Sequence, residues 1–155
     1  YGKASLGYLA MKDLLGDAEF KKCLHAYMDR WHGKHPEPWD FFYTFNDVSG
    51  KDLNWFWNNW FFSNNYIDLT VKSAVKSAKG YTVTINNIGG MAAPVNIIAT
   101  YADGTTASFH QTPAIWQKDQ KQAVVTIPAV KKITSLKLDG EIFMDADIKN
   151  NTLQL

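Results

Sequence analysis

The sequence contains a single cysteine, Cys23, so it cannot form an internal disulfide bond. A single cysteine does not indicate the redox compartment, because a cytosolic protein and an exported protein without disulfides could both contain one. The chain also lacks an apolar run long enough to span a bilayer. Its most apolar stretch, residues 55–62, is interrupted by Asn58 and Asn59. We therefore predict no transmembrane segment.

Neither sign of charge is in excess. The chain carries 16 Lys and Arg against 15 Asp and Glu, which gives a formal net charge of +1. Nucleic-acid-binding proteins and proteins held at anionic membranes usually show a strongly basic patch or a high net positive charge. The nearly equal numbers of positive and negative side chains therefore argue against a nucleic-acid partner and against a polybasic membrane site.

Two motifs that carry much known enzyme chemistry are missing. The zinc-binding helix pattern H-E-x-x-H does not occur anywhere in the sequence. A glycine-rich phosphate loop is also absent, since the pair Gly89-Gly90 is not followed by a helical pattern. The sequence thus predicts no metal site and no cofactor site built from these patterns.

Aromatic residues, by contrast, are abundant. The 155 residues include six Trp, seven Tyr and nine Phe, and most of them precede residue 67. Hydrophobic residues make up 46% of the chain and charged residues 20%, a composition typical of globular proteins. Because the chain starts at Tyr1 in the middle of an apolar pattern, we expect it to be a piece of a longer protein.

Residues 1–64 show helical periodicity in four segments. The first segment has apolar residues around most of the helix circumference, which is typical of a helix buried in a larger protein. The second is predicted to follow Gly16 with Asp17 as its cap, and the third to begin at Pro38. Ser49 and Asp52 resemble a capping box that would open the fourth helix. The fourth helix is predicted to bury the apolar positions Leu53, Phe56, Trp57 and Trp60.

From residue 65 to residue 155 the period changes to that of strands. Apolar and polar residues alternate in short runs, and Asp103-Gly104 is a strong hairpin signal. This spacing predicts an antiparallel sandwich of about seven strands, of the immunoglobulin or fibronectin type. The predicted fold is therefore α+β, with a helical bundle at residues 1–64 and a β-sandwich at residues 65–155.

One cluster has residue types that bind metals, namely His32, His35, Glu37 and Asp40. A structural zinc site requires three or four such ligands on rigid elements, whereas these four flank a proline-containing loop. A solvated loop between helices is the favoured interpretation.

Other isolated residues admit a chemical and a structural interpretation. Cys23 and His25 are two positions apart on a predicted helix and do not face each other, so packing is favoured over a thiol nucleophile. His110 lies alone on a predicted strand and is interpreted as structural. The sandwich aromatics Trp116, Tyr101 and Tyr81 would either stack against a sugar or pack in a core, and packing is again favoured.

Four short segments occur in a fixed order over the first part of the chain. The first segment is Y-G-K-A-S at residues 1–5, and the second is L-L-G-D at 14–17, followed by Phe20, Leu24 and Tyr27. The third combines D-F at 40–41 with S-G-K-D-L at 49–53, and the fourth is W-F-W-N-N-W-F at 55–61. Together they resemble the end of the thermolysin-like catalytic domain in aminopeptidase N-like zinc metallopeptidases, the gluzincin group. Ala4 occupies a position where members of this family more commonly have glycine.

The later sequence resembles Bacteroidetes-type members of this group. Their terminal sandwich often carries a late L-D, D and N-N pattern, and Leu138-Asp139, Asp145 or Asp147 and Asn150-Asn151 look similar.

This resemblance implies a specific division of the catalytic machinery. The family's zinc ligands and general base lie upstream of these segments, so the parent enzyme would bind zinc whereas this chain would not. The tyrosine of the first segment donates its O–H to the oxyanion that forms at the attacked peptide carbonyl, and Tyr1 occupies that position. Tyr1 is thus the one catalytic residue predicted in this chain.

We therefore expect the C-terminal fragment of an aminopeptidase-like metallopeptidase, inactive alone, whose partners are the upstream catalytic domain and, in the parent, peptide substrates. Family analogy implies export. An exposed apolar face on residues 5–15, or self-association, is also expected. Two alternatives remain open: a non-catalytic module that binds a glycan or protein, and a pseudoenzyme whose parent has lost its zinc ligands.

Overall fold

A computed structural model of the chain describes residues 1–129 and 131–155. These residues form two compact units, Tyr1–Ser63 and Asn64–Leu155. Within the described residues, the first unit contains four α-helices and the second contains seven β-strands. The predicted α+β fold, a helical bundle followed by an antiparallel sandwich, is confirmed.

The helices are α1 (Gly2–Leu15), α2 (Asp17–Trp31), α3 (Pro38–Ser49) and α4 (Asn54–Phe61). Gly16 separates the first two helices with a φ of 81°, a conformation in which glycine avoids the steric cost of a Cβ. Asp17 is the first residue of α2 and not its cap, which corrects the predicted boundary by one position.

The capping box lies at a different helix from the one predicted. Ser49 is the last residue of α3, and Gly50 ends that helix in the left-handed region with a φ of 64°. The box instead opens α3, where the N–H of Glu37 donates to Asp40 Oδ2 at 2.7 Å. Asp52 accepts from the N–H of Asn54 at the start of α4.

Aromatic side chains form the core of the helical unit. The predicted buried face of α4 is confirmed, because Leu53, Phe56, Trp57 and Trp60 are all buried. The ring of Trp57 stacks on Phe42 of α3, with centroids 4.7 Å apart. Pairs of this kind add to the energy of burial and fix the relative position of the helices that carry them.

The strands are β1 (Leu69–Ser77), β2 (Gly80–Asn87), β3 (Val95–Tyr101), β4 (Thr106–Gln111), β5 (Gln122–Ile127), β6 (Ile133–Asp139) and β7 (Thr152–Gln154). They form a three-stranded sheet of order β1-β2-β5 and a four-stranded sheet of order β4-β3-β6-β7. All five pairings between these strands are antiparallel, and the predicted hairpin at Asp103-Gly104 connects β3 to β4. Sandwiches of the immunoglobulin and fibronectin type share this architecture.

The sandwich core follows from the alternation of apolar residues along the strands. In β2 the buried apolar side chains are Tyr81, Val83 and Ile85, and the residues between them are partly exposed. Two polar groups of the core have partners distant in sequence. The indole N–H of Trp116 donates to Ala93 O at 2.9 Å, and the N–H of Ile133 donates to the hydroxyl of Tyr81 at 3.3 Å.

Candidate functional site

Tyr1, the predicted catalytic residue, precedes the first turn of α1. Its carbonyl oxygen accepts from the N–H of Ser5 at 3.0 Å, so its backbone is joined to the helix. Its side chain is fully exposed. The phenolic O–H is thus open to an incoming acceptor, and the predicted role of Tyr1 stays a prediction.

Several contacts fix the position of α1 within the helical unit. Lys3 Nζ donates to Ser63 O at 2.8 Å, which ties the first helical turn to a residue just after α4. Gly7 packs directly against aromatic rings of α4, where a Cβ at this position would lie 3.2 Å from Phe61 Cζ and 3.3 Å from Trp60 Cε3. The absence of a side chain at Gly7 therefore allows α1 to approach α4 closely.

Tyr8 extends this packing to α3. Its ring centroid lies 5.1 Å from that of Phe41 and 5.6 Å from that of Phe61. Burial, together with the nearby Tyr27, raises the pKa of the Tyr8 phenol above its ordinary value. Tyr8 is therefore a neutral packing residue at physiological pH.

One part of the α1 surface is apolar and exposed. Tyr8 and Leu9 are 38% and 44% exposed, whereas Ala10 and Met11 are fully buried. The predicted self-association of this surface remains a prediction.

A row of aromatic rings also lies at the surface of the helical unit. Trp39 stacks on Phe62 with centroids 4.8 Å apart and an interplanar angle of 5°, and on Tyr43 with centroids 6.4 Å apart. All three rings are exposed by more than a third. Tyr43, Arg30 and Asp47 line an open groove, and Arg30 and Asp47 form an ion pair with 2.6 Å between Arg30 Nη2 and Asp47 Oδ2.

The candidate metal ligands do not form a metal site. Among residues 1–129 and 131–155, no group of three or more His, Cys, Asp or Glu side chains could hold a metal ion. Glu37 and Asp40 are instead the two members of the α3 capping box. His32 ends α2, and His35 lies in the connection that follows it. Sequence reasoning missed the capping role, although Glu37-Pro38 followed by Asp40 matches the spacing of such a box.

Cys23 is a packing residue. Its side chain is fully buried and its Sγ lies 4.0 Å from Phe45 O. Burial raises the pKa of the Cys23 thiol, which disfavours the reactive thiolate.

His110 lies on β4 and pairs with its neighbour on β3. Its Nδ1 is 2.8 Å from Asn96 Oδ1, and Asn96 Nδ2 donates to Glu141 Oε1 at 2.9 Å. This arrangement connects β3, β4 and the turn after β6 at the surface.

The candidate sugar platform of the sandwich does not exist. Trp116 is 0% exposed and Tyr81 is 7% exposed, so neither ring can receive a sugar. Tyr101 packs against the ammonium of Lys131, whose Nζ lies 5.7 Å from the ring centroid. The structural interpretation of these aromatics is correct.

The chain was compared with known protein families, curated proteins and solved structures. No protein-family profile and no curated protein matches the sequence. Among solved structures, the chain is similar to the crystal structure of Legionella pneumophila aminopeptidase A in complex with aspartic acid. The TM-score is 0.65, the sequence identity is 18%, and the match covers 89% of this chain and 16% of that chain.

This likeness establishes the fold. The chain shares its fold with part of this aminopeptidase. The chain spans about a sixth of the length of the aminopeptidase, since the match covers 16% of it. Within the described residues, no helix is both long and apolar enough to cross a membrane.

Proposed function

We propose that the chain is the C-terminal part of a zinc-dependent aminopeptidase, composed of the last helices of the catalytic domain and the β-sandwich that follows. The observation that carries this proposal is the fold match to an aminopeptidase over 89% of the chain. The ordered resemblance of residues 1–62 to the gluzincin metallopeptidases supports it independently, since that resemblance rests on sequence motifs and not on the fold.

We propose that the zinc ligands lie in the part of the natural protein that precedes this chain. The described residues of this chain do not fit a zinc site, because no three potential ligands among them converge. Alone, the 155-residue chain is therefore expected neither to bind zinc at a catalytic site nor to hydrolyse peptides.

Tyr1 is the residue through which the chain takes part in catalysis. In the assembled enzyme its phenolic O–H donates a hydrogen bond to the oxyanion that forms at the attacked peptide carbonyl. A donor of this kind stabilises the transition state most when it is held in place before the reaction. The contacts of Lys3, Gly7 and Tyr8 fix α1, the helix that Tyr1 directly precedes, within the helical unit.

The test uses the natural polypeptide that contains this chain and, beside it, the 155-residue chain. Hydrolysis of aminoacyl p-nitroanilides is measured before and after zinc is removed with dipicolinate, and again after zinc is restored. We expect activity that disappears and returns with zinc in the natural polypeptide, and none in the 155-residue chain.

Two results would contradict the proposal. Zinc-dependent hydrolysis by the 155-residue chain alone would place the active site within it. A natural polypeptide that contains H-E-x-x-H and a downstream glutamate but cleaves no N-terminal residue would exclude the aminopeptidase activity. A natural polypeptide without those ligands would instead establish the pseudoenzyme alternative.

Export of the parent protein is part of the same proposal and rests on family analogy. Fractionation of cells that express the natural polypeptide tests it, with recovery outside the cytoplasm as the expected result.

A further inference from the structure

Lys3 is a cation in the first turn of α1, where a helix disfavours positive charge. The N-terminus of a helix carries about half a positive elementary charge, so acidic side chains are preferred there and basic ones near the C-terminus. Lys3 is the second residue of α1, and no acidic residue lies in that turn. Lys12, in the last turn, follows the preference. A residue that breaks such a local rule points to a contact elsewhere in the fold.

Lys3 makes this contact at the C-terminal end of α4. Its ammonium donates to Ser63 O at 2.8 Å, across 60 positions of sequence. Ser63 follows Phe61, the last residue of α4, by two positions. Because the C-terminus of a helix is the negative end of its dipole, a cation is favoured there. Ser63 is itself fixed to α4, since its hydroxyl donates to Asn59 O.

The first turn of α1 lies outside the packed part of the helix. The residues before Gly7 are exposed or partly exposed, and Gly7 is the first residue of α1 that is buried. Gly7 comes six positions after Tyr1, which is about 9 Å along the helix axis. Helix ends that extend beyond their packing contacts fray readily. The bond from Lys3 to Ser63 therefore joins an exposed turn to the rest of the helical unit.

We propose that Lys3 is a positioning residue for the phenol of Tyr1, an inference that rests on the function proposed above. By donating to Ser63 O, Lys3 keeps the first turn of α1 helical. The N–H of Ser5 donates to Tyr1 O at 3.0 Å, so the intact turn includes the backbone of Tyr1. Lys3 does not act on the reacting atoms, and its effect passes through Tyr1.

The position of an oxyanion donor affects the transition state selectively. The oxyanion exists only after water has attacked the peptide carbonyl, so a displaced donor lowers kcat while the substrate still binds. Loss of Lys3 is therefore expected to lower kcat with little change in KM. A general loss of folding would instead lower the amount of active enzyme and its Tm together.

Lys3→Met in the natural polypeptide tests the proposal. Methionine is an unbranched side chain with high helix propensity, and it lacks the ammonium. We expect kcat for aminoacyl p-nitroanilides to fall by about tenfold, as for the loss of a charged hydrogen bond, with KM and Tm nearly unchanged. Lys3→Arg keeps a charged donor and should retain most of the activity.

Lys12→Met is the matched control. It removes the same charge from the same helix, where Lys12 Nζ lies 3.4 Å from Asp17 Oδ1 at the end of α1 remote from Tyr1. We expect its kcat to equal that of the natural polypeptide. An equal loss of kcat in Lys3→Met and Lys12→Met would show that the effect comes from the charge of the helix, and would overturn the proposal.

A double variant determines whether Lys3 acts through Tyr1. In Tyr1→Phe the phenolic O–H is absent, so adding Lys3→Met should cost no further activity. The same tenfold loss in both backgrounds would mean that Lys3 acts independently of Tyr1. An impaired Tyr1→Phe enzyme beside a fully active Lys3→Met enzyme would overturn the role of Lys3 alone. A fully active Tyr1→Phe enzyme would overturn the function proposed for Tyr1 and the role of Lys3 with it.

Hydrogen–deuterium exchange of the natural polypeptide reports on the first turn without reference to activity. The amide of Ser5 is protected by its bond to Tyr1 O. In a peptide covering residues 1–9, we expect this amide to exchange about tenfold faster in Lys3→Met and at an unchanged rate in Lys3→Arg and Lys12→Met. Unchanged exchange in Lys3→Met would show that the bond to Ser63 does not hold the turn, and the proposal would then be wrong even if kcat fell.

Discussion

The indole N–H of Trp57 donates to Asn46 Oδ1 at 3.0 Å, and this bond joins α4 to α3 inside an aromatic core. Asn46 also donates to Asn54 Oδ1 at 2.9 Å, so a single amide connects Trp57 and the start of α4. Trp57 is 2% exposed and has little access to water as an alternative acceptor. The dense aromatic cluster of the first unit thus depends on one polar side chain for its correct assembly.

Asn46→Leu tests this dependence. The variant leaves the indole N–H of Trp57 without its acceptor, and we expect the free energy of unfolding to fall by about 1–3 kcal/mol. Urea denaturation followed by tryptophan fluorescence measures the change. Combining Asn46→Leu with Trp57→Phe removes both partners, so the double variant should lose less than the sum of the two single losses. Simple additivity would show that the bond does not stabilise the unit.

Gly7 provides a second test of the packing around α1. Alanine normally stabilises a helix relative to glycine by about 0.5–1 kcal/mol. At Gly7 the added Cβ meets the rings of Phe61 and Trp60, whereas at Gly2 no atom lies within 4 Å of it. We expect Gly2→Ala to be neutral or stabilising. Gly7→Ala should be less stable than Gly2→Ala by about 1–3 kcal/mol, the usual cost of overpacking. Equal melting temperatures would mean that the α1–α4 contact is loose.

Asp103, in the β3–β4 hairpin, forms an ion pair with Lys131, which precedes β6, and this pair has a measurable pH signature. Asp103 Oδ2 lies 2.6 Å from Lys131 Nζ, and Asp103 Oδ1 accepts from the hydroxyl of Thr105. The hydrogen bond from Lys131, followed by those from Thr105, holds the pKa of the Asp103 carboxyl well below its ordinary value. Because the pKa is lowered on folding, the resulting stabilisation is present above the ordinary carboxyl pKa and is lost as the pH falls through the lowered value.

Lys131→Gln is therefore expected to raise the pKa of Asp103 towards its ordinary value, as followed by NMR titration of the carboxyl carbon. Lys132→Gln removes the same charge one residue along and should leave the pKa of Asp103 nearly unchanged. An Asp103 pKa that does not respond to Lys131→Gln would assign the shift to the Thr105 hydrogen bonds alone.

Much of the fold is predictable because it depends on local periodicity. The buried face of α4 and the alternation along β2 and β3 follow directly from apolar spacing. Pro38 begins α3, as expected from its missing N–H and fixed φ.

Local patterns fail where neighbouring elements compete for the same residues. Ser49 has the spacing of a cap, but α3 extends through it until Gly50 turns the chain into the left-handed region. The hydrogen bonds Asp68–Asn150 and Leu69–Asp145 join residues that are 82 and 76 positions apart in the sequence. Sequence periodicity carries no information about such pairs.

The role assigned to Tyr1 gives the most direct measurement of the central claim. Tyr1→Phe in the natural polypeptide keeps the ring and removes only the phenolic O–H. Tyr43→Phe is the matched control, because Tyr43 is another exposed tyrosine of the same unit. We predict that Tyr1→Phe lowers kcat for aminoacyl p-nitroanilides by about 10²–10³-fold with little change in KM, as expected when one oxyanion donor is lost. The control should retain its activity. A kcat that is unchanged in Tyr1→Phe would contradict the claim that this chain contributes a catalytic group to an aminopeptidase.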